Sequence, residues 1–463
     1  MLSLYETTRG RRREFLKVGG LGLGGLTLSQ LLQAQAAGGP AARFLKDRAV
    51  VFLFCHGGPS QIETFDPKMT APSEIRSATG EVSTTIPGVT FGGTLPKLAA
   101  LAKQLTVVRS FSTGDGNHDI KPIVCKDTLN ANIGSLYARV VGNNHPVTGI
   151  PTNVAIFPQS VDAKTGPAQD GFGKFTSTGS IGAGYTPFVP GSGGPMQDDM
   201  TLRLSRNRMD DRRELLRGLD QIRRGMDTVG MGRGLDAFRD QAFETILGGV
   251  ARAFDLAQED PRVVARYDTA RLMRPDMIDK KWTNYKHYVD HNQSLGKLML
   301  LSRRLVEAGC GFVTVTTNFV WDNHGDSNNT GIAEGMQYCS LALDHAVSTF
   351  LEDVADRGLS DKILLVVTGE MGRTPRINKS GGRDHWGGLA PLLLAGGKLE
   401  MGRVIGQSTR DAGSPLTERV TIHNLVSTIL HSLFDISEMR LSPSVPSEIL
   451  RLANSAVPIP GLG

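Results

Sequence analysis

Residues 49–59 read Ala-Val-Val-Phe-Leu-Phe-Cys-His-Gly-Gly-Pro, and this stretch decides the fold. Every side chain from Ala49 to Cys55 is apolar, which is typical of a strand that is buried on both of its faces. The following His56-Gly57-Gly58-Pro59 ends the strand in a turn. The stretch therefore predicts the first strand of a sheet that is covered on both sides.

Similar apolar runs recur along the chain and alternate with helical patterns. Alternation of strand and helix requires crossover connections, and these produce a largely parallel sheet. The sequence therefore predicts an α/β fold. The further strands are expected near 105–108, 152–157, 311–317, 363–368 and 391–394, and the main helices near 95–103, 282–305, 336–354 and 421–434.

The domain organisation is predicted from composition. With 40% hydrophobic and 21% charged residues, the 463-residue chain has the composition of a globular protein. We expect one domain over residues 44–460, with a helical insertion at about 201–308. Residues 158–200 are rich in Gly, Pro, Ser and Thr, which indicates a long ordered loop.

The amino terminus has the features of an export signal. Arg12-Arg13-Glu14-Phe15-Leu16-Lys17 matches the twin-arginine pattern, and a Gly- and Leu-rich stretch follows from Val18 to Leu28. Ala34-Gln35-Ala36 offers a cleavage site. We therefore predict a twin-arginine signal peptide over residues 1–36, the translocase as a partner, and a periplasmic or cell-envelope location. The membrane is contacted only through the leader, if it stays uncleaved.

The net charge does not indicate a nucleic-acid partner. The formal charge is +5, and the leader supplies +3 of it from five basic and two acidic side chains, which leaves +2. A chain that binds nucleic acid usually carries a much larger basic excess.

Metal-binding residue types follow the predicted strands near the carboxyl end. Asp322 and His324 lie just after the strand at 311–317, Glu370 directly follows the strand at 363–368, and Asp384-His385 lies further along between glycine pairs. Ligands in α/β sheets bind at the carboxyl ends of strands, where carboxylates and imidazoles can hold a divalent cation. Other interpretations are a surface turn for Asp322 and His324, a helix N-terminal acid for Glu370, and a hydrogen-bonded loop pair for Asp384 and His385.

Other residues near these groups suit an anionic substrate. Arg373 can bind phosphate or sulfate through its guanidinium fork, although an exposed loop arginine is an equal alternative. His118, after the strand at 105–108, is a candidate ligand or general base, or a solvated loop histidine. His56 is a further candidate ligand. Ser60 is interpreted as a helix N-cap, with Glu63 three residues on, rather than as a nucleophile.

The same motifs, in this order, resemble a family of exported bacterial proteins known as domain of unknown function 1501. The motifs that carry the resemblance are the leader, Gly57-Gly-Pro-Ser-Gln-Ile-Glu-Thr-Phe-Asp-Pro-Lys68, Arg303-Arg-Leu-Val-Glu-Ala-Gly309, Trp321-Asp-Asn-His324, Gly369-Glu-Met-Gly-Arg-Thr-Pro375 and Gly382-Arg-Asp-His-Trp386. This family is similar to the alkaline phosphatase and sulfatase superfamily. The resemblance implies a three-layer α/β/α sandwich, in which a mostly parallel central sheet carries a metal site at its strand ends.

The resemblance also implies roles for individual residues. Asp322 and His324 resemble the Asp-and-His ligand pair of the superfamily, and His385, with Asp384, resembles its last histidine ligand. Glu370 stands where an Asp-His pair usually follows the penultimate core strand. His56 stands where the superfamily has an Asp ligand, and residues 112–128 hold no identifiable Ser, Thr or Cys nucleophile.

These observations predict an exported metal-dependent hydrolase of phosphate or sulfate esters. The expected metal ligands are Asp322, His324, Glu370, Asp384 and His385, and the expected catalytic residues are His118 and Arg373. The cofactor is a divalent metal ion (Zn, Mn, Fe, Ca or Mg), and the substrate is an anionic ester such as a sulfated glycan. The alternative is a non-catalytic envelope protein that retains the fold and binds a glycan or a protein partner.

Overall fold

The computed structural model describes residues 43–191, 208, 211 and 250–463. Its largest sheet has seven strands. The order of its strands is β11-β4-β10-β7-β1-β6-β5, and two small two-stranded sheets, β2-β3 and β8-β9, lie outside it. The strands are β1 (Ala49–Phe54), β2 (Glu81–Ser83), β3 (Thr90–Gly92), β4 (Thr106–Val108), β5 (Asn153–Ile156), β6 (Phe312–Thr316), β7 (Ile363–Thr368), β8 (Gly372–Arg373), β9 (His385–Trp386), β10 (Leu392–Gly396) and β11 (Arg403–Ile405). The six predicted strands are confirmed as β1, β4, β5, β6, β7 and β10.

The sheet is parallel except at β10. Strand β1 pairs in parallel with both β6 and β7, β5 pairs in parallel with β6, and β11 pairs in parallel with β4. Strand β10 is antiparallel to both of its neighbours, β4 and β7. The amino end of β10 therefore lies at the same edge of the sheet as the carboxyl ends of the other strands.

Helices cover both faces of the sheet. They are α1 (Gln61–Thr64), α2 (Pro96–Ala100), α3 (Ile133–Val141), α4 (Ala251–Phe254), α5 (Pro261–Arg266), α6 (Tyr285–Glu307), α7 (Ile332–Asp356), α8 (Ile422–Leu433), α9 (Ile436–Met439) and α10 (Ser447–Ala453). Alternate side chains of β1 enter two different hydrophobic cores, since Val51 and Leu53 pack with α6 and α7 while Val50 and Phe52 pack with α3 and α8. The predicted three-layer α/β/α arrangement is confirmed.

Some predictions lie outside the described residues or only partly within them. The proposed leader, residues 1–36, lies outside, and so does the insertion between 201 and 249 apart from positions 208 and 211. In its described part, residues 250–308, the helices are α4, α5 and α6, and the insertion itself stays a prediction. Within the described residues, no helix combines the length and the apolar character that crossing a membrane requires.

The turn after β1 brings the ends of three strands together at Gly57. The φ angle of Gly57 is +113°, and a Cβ atom there would lie 2.7 Å from the backbone nitrogen of Asp322. The Gly57 amide donates to Glu370 Oε1 at 2.8 Å, and the His56 carbonyl accepts from the Trp321 amide at 3.2 Å. This contact, which we call the Gly57 junction, holds the segments after β1, β6 and β7 in fixed positions.

Because of the Gly57 junction, we expect one added methyl group at position 57 to destabilise the protein strongly. In Gly57→Ala, the positive φ and the clash with immovable backbone should together lower the free energy of unfolding by about 2–4 kcal/mol. Gly182→Ala is the matched control, because Gly182 has a φ of +103° and no atom lies within 4 Å of the place that the added methyl would take. The control should lose only about 1 kcal/mol. Chemical denaturation measures both, and equal losses would contradict the importance of the close approach.

Candidate metal centre

Four side chains of the types that bind metals direct one possible donor atom each to a common point. One donor atom each of His118, Asp322, His324 and His385 lies within 4.8 Å of the others, and the Nε2 atoms of the three histidines face Asp322 Oδ1. We call this group the four-donor cluster. The three imidazole nitrogens lie 3.3, 2.9 and 3.2 Å from Asp322 Oδ1, in the order His118, His324 and His385.

The topology of the sheet explains why these residues meet. Asp322 and His324 follow β6, and His118 follows β4, so all three lie past the carboxyl ends of strands that run in the same direction. His385 instead precedes β10. Because β10 is antiparallel, residues before it lie at the same edge as residues after the other strands. The reversed strand thus brings His385 to the cluster.

The β8–β9 hairpin sets the orientation of His385. Arg373 on β8 pairs directly with His385 on β9. Directly opposed residues of an antiparallel pair project their side chains from the same face. Both side chains accordingly reach Asp322 Oδ1, at 2.7 Å for the Arg373 guanidinium and 3.2 Å for His385 Nε2.

The contacts to Asp322 are compatible with a single cation held by tetrahedral bonds. Bonds of about 2.0–2.1 Å to a tetrahedral ion separate the ligand atoms by roughly 3.3 Å. The three contacts to Asp322 span 2.9–3.3 Å, and the Nε2 atoms of His324 and His385 are 2.8 Å apart. His118 Nε2 is buried and has no hydrogen-bond partner of acceptable geometry, although it faces this point. A cation at that position would lie within reach of all four atoms.

The composition of the cluster favours some metals over others. Three imidazole nitrogens and one carboxylate oxygen form a donor set that suits Zn²⁺, and imidazole also binds iron and other transition metals. Ca²⁺ and Mg²⁺ prefer sites made of oxygen atoms. Of the ions that the sequence predicts, calcium and magnesium are the poorer match.

Electrostatics keep the Asp322 carboxylate ionised. Burial alone would raise the pKa of Asp322, but the close contacts with His118, His324 and His385 and the nearby charge of Arg373 hold it well below its usual value. The hydrogen bond to Asp322 raises the pKa of His324, with burial opposing it. Burial likewise lowers the pKa of His118, but its contacts with Asp322 and Glu370 raise it overall. The carboxylate is therefore ready to bind a cation, which would displace protons from the imidazoles.

Two carboxylates that the sequence predicts as ligands lie outside the four-donor cluster. Glu370 Oε1 contacts His118 Nδ1 at 3.1 Å, and Asp384 Oδ1 contacts His324 Nδ1 at 3.2 Å. Each carboxylate thus contacts the ring nitrogen that points away from the cluster. Such contacts orient an imidazole ligand and make it more basic. Glu370 is fully buried, whereas the Asp384 side chain is 58% exposed.

Arg373 is not the exposed loop arginine of the alternative interpretation. Its guanidinium is completely buried and donates to the carbonyl oxygens of Gly57, Gly58 and Arg383 as well as to Asp322. These contacts place Arg373 behind Asp322, where it stabilises the carboxylate. Its role in binding a substrate anion stays a prediction. The neighbouring Arg376 is the exposed one, with 71% of its side chain accessible.

Two asparagines complete the site, and the sequence interpretation did not include them. Asn329 donates to Asp322 Oδ2 at 3.1 Å, and Asn378 donates to Asp384 Oδ1 and to the His324 carbonyl, both at 3.0 Å. Asn378 also accepts from backbone amides of its own loop, so it fixes the loop to the cluster. Asparagines in polar loops are common, and no local pattern distinguishes these two.

His56 and Ser60, the other candidates near β1, do not join the cluster. His56 is buried among aromatic rings, including Phe54 and Phe319, and burial lowers its pKa to about 4. Ser60 is an N-cap as predicted, since its hydroxyl oxygen accepts from the amides of Ile62 and Glu63. Glu63 forms a buried ion pair with Arg383 at 2.9 Å, and this anchors the segment before His385.

The four-donor cluster predicts that the purified full chain binds one zinc ion. His385→Ala removes a donor atom and Asp322→Asn replaces the carboxylate with a neutral amide, so each should weaken zinc binding by about 100-fold or more. His423→Ala is the matched control, because His423 lies outside the cluster and contacts Asp127 instead. Elemental analysis and competition with a chelator measure the change. Unaltered zinc binding in both site variants would contradict the assignment.

The two outer carboxylates, Glu370 and Asp384, are expected to have a smaller effect on zinc affinity than the four donor residues. Asp384→Asn removes the charge that faces His324 Nδ1, so zinc affinity should fall by about 10- to 100-fold without loss of the site. Asp411→Asn is the control, because the Asp411 side chain bonds only within its own turn, to Thr409 and Gly413. If zinc affinity is the same in both variants, Asp384 does not support the ligand.

Comparison with known proteins identifies the family but no activity. The model for the protein family of unknown function DUF1501 matches residues 47–455. Among curated proteins, none matches this sequence.

Several solved structures share a limited likeness with the chain. The PsFucS1 sulfatase from Pseudoalteromonas sp. is 11% identical, covers 91% of this chain and 72% of its own, and has a TM-score of 0.36. The lipoteichoic acid synthase LtaP from Listeria monocytogenes is 8% identical over 86% of this chain and 78% of its own, with a TM-score of 0.33. The C-terminal periplasmic domain of EcEptC from Escherichia coli is 11% identical, covers 86% of this chain and 87% of its own, and has a TM-score of 0.34. Scores this low do not by themselves assign a function.

The family match extends over most of the chain and includes every residue of the four-donor cluster together with both outer carboxylates. The chain therefore belongs to the DUF1501 family of proteins of unknown function.

Proposed function

We propose that the protein is an exported metal-dependent hydrolase of phosphate or sulfate monoesters. The single observation that carries the proposal is the convergence of three imidazole nitrogens on Asp322 Oδ1, at 2.9–3.3 Å. The motifs at 321–324, 369–375 and 382–386 resemble those of the alkaline phosphatase and sulfatase superfamily, and this resemblance suggests the class of ester.

Asp322, His324 and His385 are the residues proposed to hold the cation. When bound, a divalent cation supplies Lewis acidity, which polarises an ester oxygen and lowers the pKa of water. The His324 and His385 side chains are 21% and 31% exposed, whereas Asp322 is 9% exposed. The cluster is therefore open to solvent on its imidazole side, and an ester can approach from there.

His118 is the residue proposed to carry the proton. Among the three imidazoles, its Nε2 lies farthest from Asp322 Oδ1, at 3.3 Å, and it lacks a hydrogen-bond partner. Its Nδ1 contacts the buried Glu370 carboxylate at 3.1 Å. That contact keeps the proton on Nδ1 and leaves Nε2 free to exchange one, which is what a general acid or base requires.

The proposed reaction consumes one water and no other reactant. The water oxygen forms a bond to phosphorus or sulfur, and the bond from that atom to the oxygen of the organic group breaks. His118 Nε2 takes the proton of the water and returns it to the leaving oxygen. Arg373 positions Asp322, since its buried guanidinium lies 2.7 Å from Asp322 Oδ1.

The export route is part of the proposal. The twin-arginine motif at Arg12-Arg13 supports transport of the folded protein to the periplasm or cell envelope. Because that pathway carries folded proteins, the metal would be bound in the cytoplasm before export. The membrane contact that we propose is through the leader, if it stays uncleaved.

One observation favours a second candidate, a non-catalytic envelope protein with a structural metal. Catalytic zinc sites usually have three protein ligands and an open position, whereas structural sites have four. His118, if it binds the ion, would complete a closed set of four. The protein would then retain the fold to bind a glycan or a protein partner.

The variant His118→Ala distinguishes the two candidates. If the protein is a hydrolase, the zinc- or manganese-loaded wild type should cleave 4-nitrophenyl phosphate or sulfate. His118→Ala should then retain its metal and lose about 100-fold or more in turnover, because general acid-base catalysis contributes on that scale. Initial rates and metal content are measured on the same preparations.

Two comparisons complete the experiment. His385→Ala should lose both metal and turnover, and His423→Ala should lose neither. A wild type that holds its metal but cleaves no ester, combined with loss of metal in His118→Ala, would overturn the hydrolase and support the binding protein.

A further inference from the structure

Two stacked phenyl rings lie directly beside the four-donor cluster. Phe319 lies between β6 and Asp322, and Phe172 comes from the long loop that follows β5. Their centroids are 4.8 Å apart with an angle of 24° between the ring planes. We call this pair the apolar wall.

One imidazole connects the apolar wall to the cluster. The His118 ring lies 5.0 Å from the Phe172 ring and 4.7 Å from the Phe319 ring, while its Nε2 faces Asp322 Oδ1 at 3.3 Å. His118 also contacts the His385 ring at 4.1 Å. The phenyl rings are therefore separated from the proposed ion by the thickness of a single side chain.

The apolar wall does not contribute to the hydrophobic cores. Neither Phe172 nor Phe319 belongs to the two cores that cover the faces of the sheet. Phe319 is almost fully buried, but Phe172 is 37% exposed, and it is the one aromatic residue among the exposed large hydrophobic side chains of the described residues. An exposed phenyl ring beside a polar site loses contact with water when an apolar ligand face covers it.

The loop holds Phe172 at this position through a close backbone contact. Gly173, the next residue, has a φ of +142°, and a Cβ atom there would lie 2.8 Å from Cγ1 of Ile120. Ile120 is two residues from His118 and is buried. The absence of a side chain at 173 thus lets the loop pack against the segment that carries His118.

We infer that Phe172, supported by Phe319, is the specificity-determining residue of the proposed hydrolase and selects esters whose organic group presents an apolar ring face. This inference rests on the proposed function. The ring is either an aryl group or the C–H face of a pyranose, since both stack on a phenyl ring. An ester of a short acyclic alcohol has no such face and gains nothing from the wall.

Equilibrium binding tests the inference without any need for turnover. The probes are methylphosphonate, phenylphosphonate and glucose 6-phosphonate, which are not hydrolysed, and binding to the zinc-loaded full chain is measured by calorimetry. The wild type should bind at least one ring-bearing probe about tenfold more tightly than methylphosphonate. Tighter binding of phenylphosphonate would indicate an aryl ester, and tighter binding of glucose 6-phosphonate would indicate a sugar ester.

Variants of Phe172 test which residue creates the preference. Phe172→Ala should reduce the preference for the ring-bearing probe over methylphosphonate to within about twofold, with methylphosphonate affinity and zinc content unchanged. Phe172→Tyr should retain the preference because the ring remains. Leu441→Ala is the control, because Leu441 is a 77% exposed hydrophobic residue that has no part in the wall. Phe172 lies outside both cores, so its variants are expected to fold.

Each contrary outcome has a distinct meaning. A wild type that binds all three probes equally, or a preference that survives in Phe172→Ala, overturns the inference and leaves the hydrolase proposal standing. A zinc-loaded wild type that binds none of the three contradicts the hydrolase proposal, and the inference fails with it.

Discussion

The close approach of Gly57 to the backbone of Asp322 is the contact on which the rest of the site depends. Strand β1 lies between β6 and β7, and the turn after it must pass between the segments that carry Asp322 and Glu370. The Gly57 amide donates to Glu370, and the Gly57 and Gly58 carbonyls accept from Arg373, which in turn holds Asp322. A residue without a side chain is required, because a Cβ atom would contact backbone rather than a movable side chain. One backbone turn therefore sets the positions of both acids.

The charges at the site are arranged around a buried guanidinium. Arg373 has no access to solvent and lies against the Asp322 carboxylate, so it offsets part of the negative charge that desolvation would otherwise make costly. Glu370 and Asp384 each contact an imidazole from outside, which orients the Nε2 atoms of His118 and His324 toward the same point. The site is thus organised in layers: an inner group of donor atoms, then carboxylates and a guanidinium that fix their orientation. A cation at the centre would add positive charge next to the Asp322 carboxylate, with Glu370 and Asp384 behind the imidazoles.

Much of this arrangement could be predicted from the sequence, because strands and the residues that follow them are recognised from neighbouring positions in the chain. Apolar runs predicted β1, β6, β7 and β10, and the residue types after β6 and before β10 made Asp322, His324 and His385 candidate metal ligands. The roles of His118 and Glu370 were harder to assign. Both follow strands and both carry suitable atoms, so local pattern does not reveal which one faces inward. Only the contact between His118 Nδ1 and Glu370 Oε1 shows that the imidazole is next to the proposed ion and the carboxylate is behind it.

The sequence by itself determined six of the seven strands of the central sheet, its largely parallel character, and the residue types that gather at one of its edges, since these follow from hydrophobic pattern and from where each strand ends. The tertiary structure alone decided that β10 runs against its neighbours, which brings His385 to the edge where Asp322 lies, and that the loop after β5 returns to place Phe172 beside His118. The physical reason is that strand direction and loop path depend on contacts between residues far apart in the chain. Such contacts leave no periodic signal in the local sequence.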